Sequence, residues 1–217
     1  MSAPTASADI EKHVHISSGS VSLGARLTVP AKAKKLVVFA HGSGSSRFSP
    51  RNNFVAEVLE AHGFGVLLMD LLTPTEDLSH KNRCNIELLA TRLISARNWI
   101  GEQELLRGFS IGLFGASTGA AGALKVAARF GKEIKAVVCR SGRPDLAEKE
   151  LARVQSPTLL IVGGSDRATV ELNQQALEKL SCIKRLEIVP GATHLFEEPG
   201  TLDQAAYLAN AWFLKYL

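Results

Sequence analysis

The sequence predicts an α/β fold: a mostly parallel central sheet with an antiparallel N-terminal edge and helices on both faces. Three observations lead there. Short apolar runs alternate with stretches of helical periodicity, the pattern of strands joined by crossover helices. The first two strand-like segments have no helix between them and read as an antiparallel pair. Residues able to do chemistry fall in loops directly after apolar runs, and parallel sheets bind ligands at the carboxyl ends of their strands.

In order, residues 15–17 and 21–29 form the antiparallel pair, turned at Ser18 and Gly19, and residues 36–40 make a buried strand. Residues 53–62 carry Phe54, Val55, Val58 and Leu59 on one helical face, and Gly63 ends that helix as a C-cap. A strand over 66–70 follows. Residues 86–100 place Ile86, Leu89, Leu93, Ala96 and Ile100 at helical spacing. Next come a strand at 111–114, a helix at 120–128, a strand at 136–139 and a short helix near 146–154. A strand at 158–162, a helix at 168–180, a strand at 186–189 and an amphipathic helix at 202–216 close the chain.

A chain of 217 residues is expected to be one domain, 13–217, behind a disordered tail at 1–12. The net charge of +4 is carried by scattered side chains. The densest run, Lys32-Ala33-Lys34-Lys35, precedes a strand and reads as a solvated loop, so no nucleic-acid partner is expected. Cys84, Cys139 and Cys182 form no C-x-x-C or Cys/His cluster, which argues against a disulfide framework and a zinc site. A reducing, cytoplasmic location is expected, with no metal and no organic cofactor. The N-terminus lacks the apolar stretch of a signal peptide. No apolar run approaches the roughly 20 residues that span a bilayer, so no membrane attachment is expected.

The chemistry centres on Gly115-Ala116-Ser117-Thr118-Gly119, a G-x-S-x-G motif between a strand and a helix. That context makes it a nucleophile elbow, with serine at the apex of a strained turn and glycines where side chains would collide. Two more loops follow strands: Gly163-Gly164-Ser165-Asp166 and Gly191-Ala192-Thr193-His194. A serine hydroxyl is a poor nucleophile at neutral pH. A histidine must take its proton, and a carboxylate must hold that histidine in the right tautomer. Ser117, Asp166 and His194 are the candidate catalytic set. Asp166 also fits a helix N-cap and His194 an ordinary loop histidine. Asp145 is the weaker alternative acid, since it looks like the start of a helix after Pro144.

A fourth loop, His41-Gly42-Ser43-Gly44-Ser45-Ser46, follows the 36–40 strand and leaves backbone N–H groups free. Ser43 and Thr118 are expected to supply the two N–H donors of an oxyanion hole. Gly42, Gly44 and Arg140 are expected to contact substrate, and His41 to serve the turn. Such a loop could also cradle a phosphate, but the G-x-x-x-x-G-K-S/T pattern of nucleotide binding is missing.

These four motifs together resemble the alpha/beta hydrolase superfamily over nearly the whole chain, and within it the small dienelactone hydrolase-related group. The resemblance extends through Leu195-Phe196-Glu197-Glu198-Pro199-Gly200 after the histidine. It implies the Ser-Asp-His order seen here. Dienelactone hydrolase itself has a cysteine nucleophile; Ser117 stands at that position and favours ordinary ester hydrolysis. Larger members insert a cap after the sixth strand, where this chain has only Arg140-Ser141-Gly142-Arg143-Pro144 before Asp145. An open site without a lid is expected.

The function expected is a serine carboxylesterase acting on a small, short-acyl ester through an acyl-enzyme. The same residues would also suit a thioesterase, a lactonase or an acyltransferase. Arg47, Arg51, Arg140 and Arg143 are the candidates to hold a coenzyme A phosphate. A non-catalytic binding protein is the reading from another class, and the oligomeric state is open.

Overall fold

The computed structural model describes residues 9–217. Eight strands make one sheet in the order β1-β2-β4-β3-β5-β6-β7-β8. They are β1 (Ile10–Ser18), β2 (Val21–Val29), β3 (Lys35–Ala40), β4 (Gly65–Met69), β5 (Ser110–Ala116), β6 (Ile134–Arg140), β7 (Thr158–Gly163) and β8 (Lys184–Val189). β1 runs antiparallel to β2, and β2 antiparallel to β4; all remaining neighbours are parallel.

β1 corrects the expected tail boundary at 1–12. Ile10, Glu11 and Lys12 pair with Val29, Thr28 and Leu27, so the sheet begins at Ile10. The exposed Glu11, Lys12 and His13 of this edge strand interrupt the apolar alternation that would have signalled it. Residues 1–8 lie outside the described residues.

The long helices are α1 (Pro50–Ala61), α4 (Ile86–Glu102), α5 (Thr118–Phe130), α6 (Arg167–Lys179) and α7 (Thr201–Tyr216). Strand residues alternate between two cores, as a pleat with both faces covered requires. Leu36, Val38 and Ala40 of β3 pack with α4, α5 and α6 on one face. Val37 and Phe39 point the other way, into a core shared with α1 and α7.

Between β4 and α4 the periodicity predicts nothing, yet two one-turn helices lie there: α2 (Pro74–Asp77) and α3 (His80–Arg83). A capping box closes α2, with Thr73 Oγ1 accepting from Glu76 N–H at 3.2 Å and Glu76 Oε2 accepting from Thr73 N–H at 2.9 Å. Buried Arg92 of α4 donates to Ser18 O at 2.7 Å and to Glu76 Oε1 at 2.6 Å, tying α4 to β1 and α2. The helix expected near 146–154 is a 3₁₀ stretch, Pro144–Arg153, kinked where Ala147 leaves helical geometry (φ −121°, ψ 24°). It is the only regular element between β6 and β7, so among the described residues no cap is inserted there over the carboxyl edge of the sheet. Among the described residues no helix is long and apolar enough to cross a membrane.

Candidate active site

The elbow is built as its glycines require. β5 ends at Ala116, α5 starts at Thr118, and Ser117 between them has φ 50° and ψ −121°. A side chain at Gly115 would put its Cβ 2.4 Å from Ala120 Cα, and one at Gly119 would put it 2.2 Å from Ala40 O. Strand, turn and helix therefore approach this closely only with glycine on both sides. Backbone bonds lock the turn: Ser117 N–H donates to Arg140 O, and Ser117 O accepts from Ala120 and Arg143 N–H, each at 3.1 Å. A non-glycine residue in such backbone costs about 1–3 kcal/mol, offset here by surrounding contacts.

Ser117 and His194 line one cavity of about 180 Å³, together with Gly42, Ser43, Arg140 and Ser141 among others. No hydrogen bond joins Ser117 Oγ to His194, and such bonds are often loose before substrate arrives. His194 Nδ1 lies 2.7 Å from Asp166 Oδ2. A carboxylate accepts only, so Nδ1 carries the proton and Nε2 is left as the basic nitrogen. Asp166 does both things its position allows, because Oδ1 also caps α6 by accepting from Thr169 N–H at 3.3 Å. Burial pushes the Asp166 carboxyl up. Hydrogen bonds from Thr169 and His194 outweigh burial and hold it below the usual carboxylate range. Asp145 is elsewhere, gripped by Arg143 through bonds of 2.9 and 2.7 Å.

Gly42 approaches the serine closely enough that a Cβ there would lie 3.0 Å from Ser117 Cβ. Ser43 lines the cavity, whereas Gly44 turns the loop (φ +66°) beside Arg83 and is not part of the wall. Thr118 follows Ser117 at the first position of α5 and is buried. Among the described residues, neither the Ser43 nor the Thr118 N–H is engaged by another group of the chain.

His41 holds this loop from beneath. Its Nε2 accepts from Leu71 N–H at 2.9 Å, so the ring proton sits on Nδ1, which donates to Gly42 O at 2.9 Å. Protonating Nε2 would set two donors face to face. Burial lowers the His41 pKa, outweighing the Gly42 bond and the fields of Asp70 and Asp77, which raise it. The folded protein therefore favours neutral His41, and that contribution to stability is complete above the unfolded value of about 6.5. It is lost as pH falls below that value, where only the unfolded chain takes up the proton. Melting temperature is expected to drop between pH 7 and pH 5.5, and less steeply in His41→Gln. Identical slopes for the two proteins would show that His41 does not titrate this way.

Two braces of the histidine loop escape the sequence motifs. Ser141 has φ 44° and donates from Oγ to His194 O at 2.8 Å, fixing the histidine loop from across the sheet. Glu198 accepts from Thr193 N–H at 3.0 Å and braces the same loop; the run after His194 was its only signal. Arg140 is 6% exposed and donates to Asn52 Oδ1 at 3.3 Å. Burial, with Arg51 nearby, lowers its pKa to about 10, which leaves it charged at neutral pH. Cys139 sits beside it on β6, and burial pushes its thiol up to about 12.

The fold is that of an alpha/beta hydrolase. The dienelactone hydrolase family model matches residues 23–216, and the chain belongs to that family. A crystal structure of dienelactone hydrolase from Anabaena variabilis superposes with a TM-score of 0.93 at 49% identity, covering 96% of this chain and 99% of that one. Est1E from Butyrivibrio proteoclasticus, also known with ferulic acid bound, shares the fold at a TM-score of 0.81 and 16% identity, over 94% of this chain and 98% of its own. Two Mycobacterium tuberculosis proteins, each named "Putative phosphoribosyl transferase", are 52% identical over 207 residues. That span is 95% of this chain and 47% of each of them, so the chain spans about half their length.

Proposed function

We propose that this chain is a serine carboxylesterase that cleaves small, short-acyl esters through an acyl-enzyme. The observation that carries the reading is the strained Ser117 sharing a cavity with His194, whose Nδ1 is held 2.7 Å from Asp166. Ser117 Oγ attacks the ester carbonyl carbon as its proton passes to His194 Nε2. The carbonyl oxygen gains the negative charge and is met by the N–H groups of Ser43 and Thr118. The bond to the alcohol then breaks, and His194 returns the proton to the departing oxygen. Water, deprotonated by His194, attacks the acyl-serine, releases the acid and restores Ser117. Asp166 stabilises the imidazolium formed in both halves. Oxyanion donors of this kind are worth about 3–4 kcal/mol each in the rate.

The Anabaena neighbour's name and the ferulic acid of Est1E support a carboxylic ester or lactone as the substrate class. The name of the Mycobacterium relatives describes proteins about twice as long as the matched span, whereas the groups gathered here suit acyl transfer to water. Labelling with a fluorophosphonate probe, followed by a panel of esters, thioesters and lactones, tests the reading. Absence of labelling would point to the binding-protein alternative.

Cavity size bears on the acyl group. At about 180 Å³, without a cap and with mostly polar walls, it is smaller than the ~300 Å³ at which drug-sized pockets begin. A buried methylene gains about 0.8 kcal/mol, and here that gain stops after a few carbons. Activity on p-nitrophenyl acetate or butyrate is expected to exceed that on the palmitate. A rise in kcat/KM continuing to long chains would contradict an open, shallow site.

A further inference from the structure

The Ser117 cavity, at about 180 Å³, has room for a short acyl group and little more. The alcohol half of an ester needs a place of its own. A second cavity of about 320 Å³ adjoins the first, and Ser45 lines both. It lies between the loop after β3 and the segment after β4, walled by Phe48, Leu72 and Pro74 together with Arg47, Asp70 and Asp77.

Two observations give this second cavity its character. The first is that its charges are already paired. Arg47 forms an ion pair with Asp70, and the Arg47 backbone N–H donates to Asp70 Oδ1 at 2.8 Å. Asp77 accepts from the Arg83 guanidinium through bonds of 3.0 and 2.9 Å. Ions paired within the chain offer no counter-charge to a ligand, so the cavity suits a neutral group.

The second is an exposed ring held in place. Of the nine phenylalanines only Phe48 is exposed, at 65%. The Arg47 guanidinium lies over its ring, 4.2 Å from the centroid, and Asp70 fixes that guanidinium in turn. Gly24 on β2 makes the room, because a Cβ there would lie 2.7 Å from Arg47 Nη1. The facing wall is anchored too: the capping box closes α2, and Arg92 grips Glu76. A lone exposed apolar side chain means little. Here the ring is oriented between fixed walls, in a cavity that opens onto the one holding Ser117.

We propose that the alcohol half of the ester occupies this second cavity and carries an aromatic ring that packs against Phe48. This rests on the esterase reading and supplies the leaving group that the reading leaves open. An alcohol bound there can also attack the acyl-serine in place of water. Its oxygen bonds to the acyl carbon, His194 Nε2 takes its proton, and that proton returns to Ser117 Oγ as the serine ester bond breaks.

The test has two arms. The first compares kcat/KM for 2-phenylethyl acetate and n-butyl acetate, whose alcohols are of similar basicity. The wild type is expected to prefer the aromatic ester by about fivefold or more, the worth of an aromatic contact beyond plain burial. In Phe48→Ala the preference is expected to collapse to within about twofold, and Phe48→Trp is expected to keep it. The second arm uses the wild type alone. During hydrolysis of p-nitrophenyl acetate, equal concentrations of 2-phenylethanol and n-butanol compete with water for the acetyl-enzyme. More 2-phenylethyl acetate than butyl acetate is expected among the products. No aromatic preference in the first arm, a preference that survives in Phe48→Ala, or equal capture of the two alcohols overturns the proposal. Hydrolysis of p-nitrophenyl acetate without either preference would sink the subsite and leave the esterase standing. No turnover of any ester, with no fluorophosphonate labelling, would sink the esterase reading and the subsite with it.

Discussion

Ser117→Ala is expected to abolish fluorophosphonate labelling and to lower ester turnover by on the order of 10⁴-fold or more, with the fold intact. Its hydroxyl is the proposed nucleophile at the apex of the strained turn, and alanine keeps the Cβ that the φ of 50° already accommodates. Ser117→Gly, equally inactive, is expected to be more stable than Ser117→Ala by about 1 kcal/mol, because glycine relieves backbone strain that exceeds its entropic cost. Cys139→Ser is the control. Its thiol is fully buried with a pKa near 12, so thiol-blocking reagents should not reach it and the rate should hardly change. Activity that survives Ser117→Ala but stops on thiol blockade would place the nucleophile elsewhere.

Asp166→Asn is expected to reduce turnover by roughly 10³–10⁴-fold while leaving the protein folded. The two halves of that statement come from the two oxygens of one side chain. Oδ1 caps α6 through Thr169, and asparagine caps about as well as aspartate. Oδ2 holds His194 Nδ1, and an amide there can present N–H instead of oxygen, which favours the wrong tautomer and leaves the imidazolium unsupported. Asp145→Asn removes only a partly exposed pair with Arg143, at a cost of about 0–1 kcal/mol and little change in rate. Measured side by side, loss of activity in Asp145→Asn or its retention in Asp166→Asn would assign the acid differently.

Much of this architecture is legible in the chain because parallel α/β layers write themselves as local patterns. The buried strands read as apolar runs, and α4 and α7 show their helical period within a residue or two of their ends. Elements without a long pattern were harder. α2 and α3 are too short for periodicity, and the Thr73-x-x-Glu76 capping box is the one local signal that could mark the first. The 3₁₀ stretch at 144–153 has helical composition, yet the buried Ala147 leaves helical geometry within it. The start of β1 hid behind Glu11, Lys12 and His13, which are exposed on both faces at this end of the edge strand.

The sequence by itself determined the fold class, the elbow and the order Ser117, Asp166, His194, since each residue is announced by its place after a strand. Only the tertiary structure decided which groups meet. It seated His41 between Leu71 and Gly42, set Ser141 against the backbone of His194, and made Asp166 a cap and a histidine partner at once. It also paired three of the loop arginines with carboxylates and left Arg140 buried at the cavity wall with none among the described residues. Strand and helix propensity act over a few residues and can be read locally. The partners of a charge lie dozens of residues away, and burial, which sets what an unpaired charge costs, exists only once the sheet has closed on its helices.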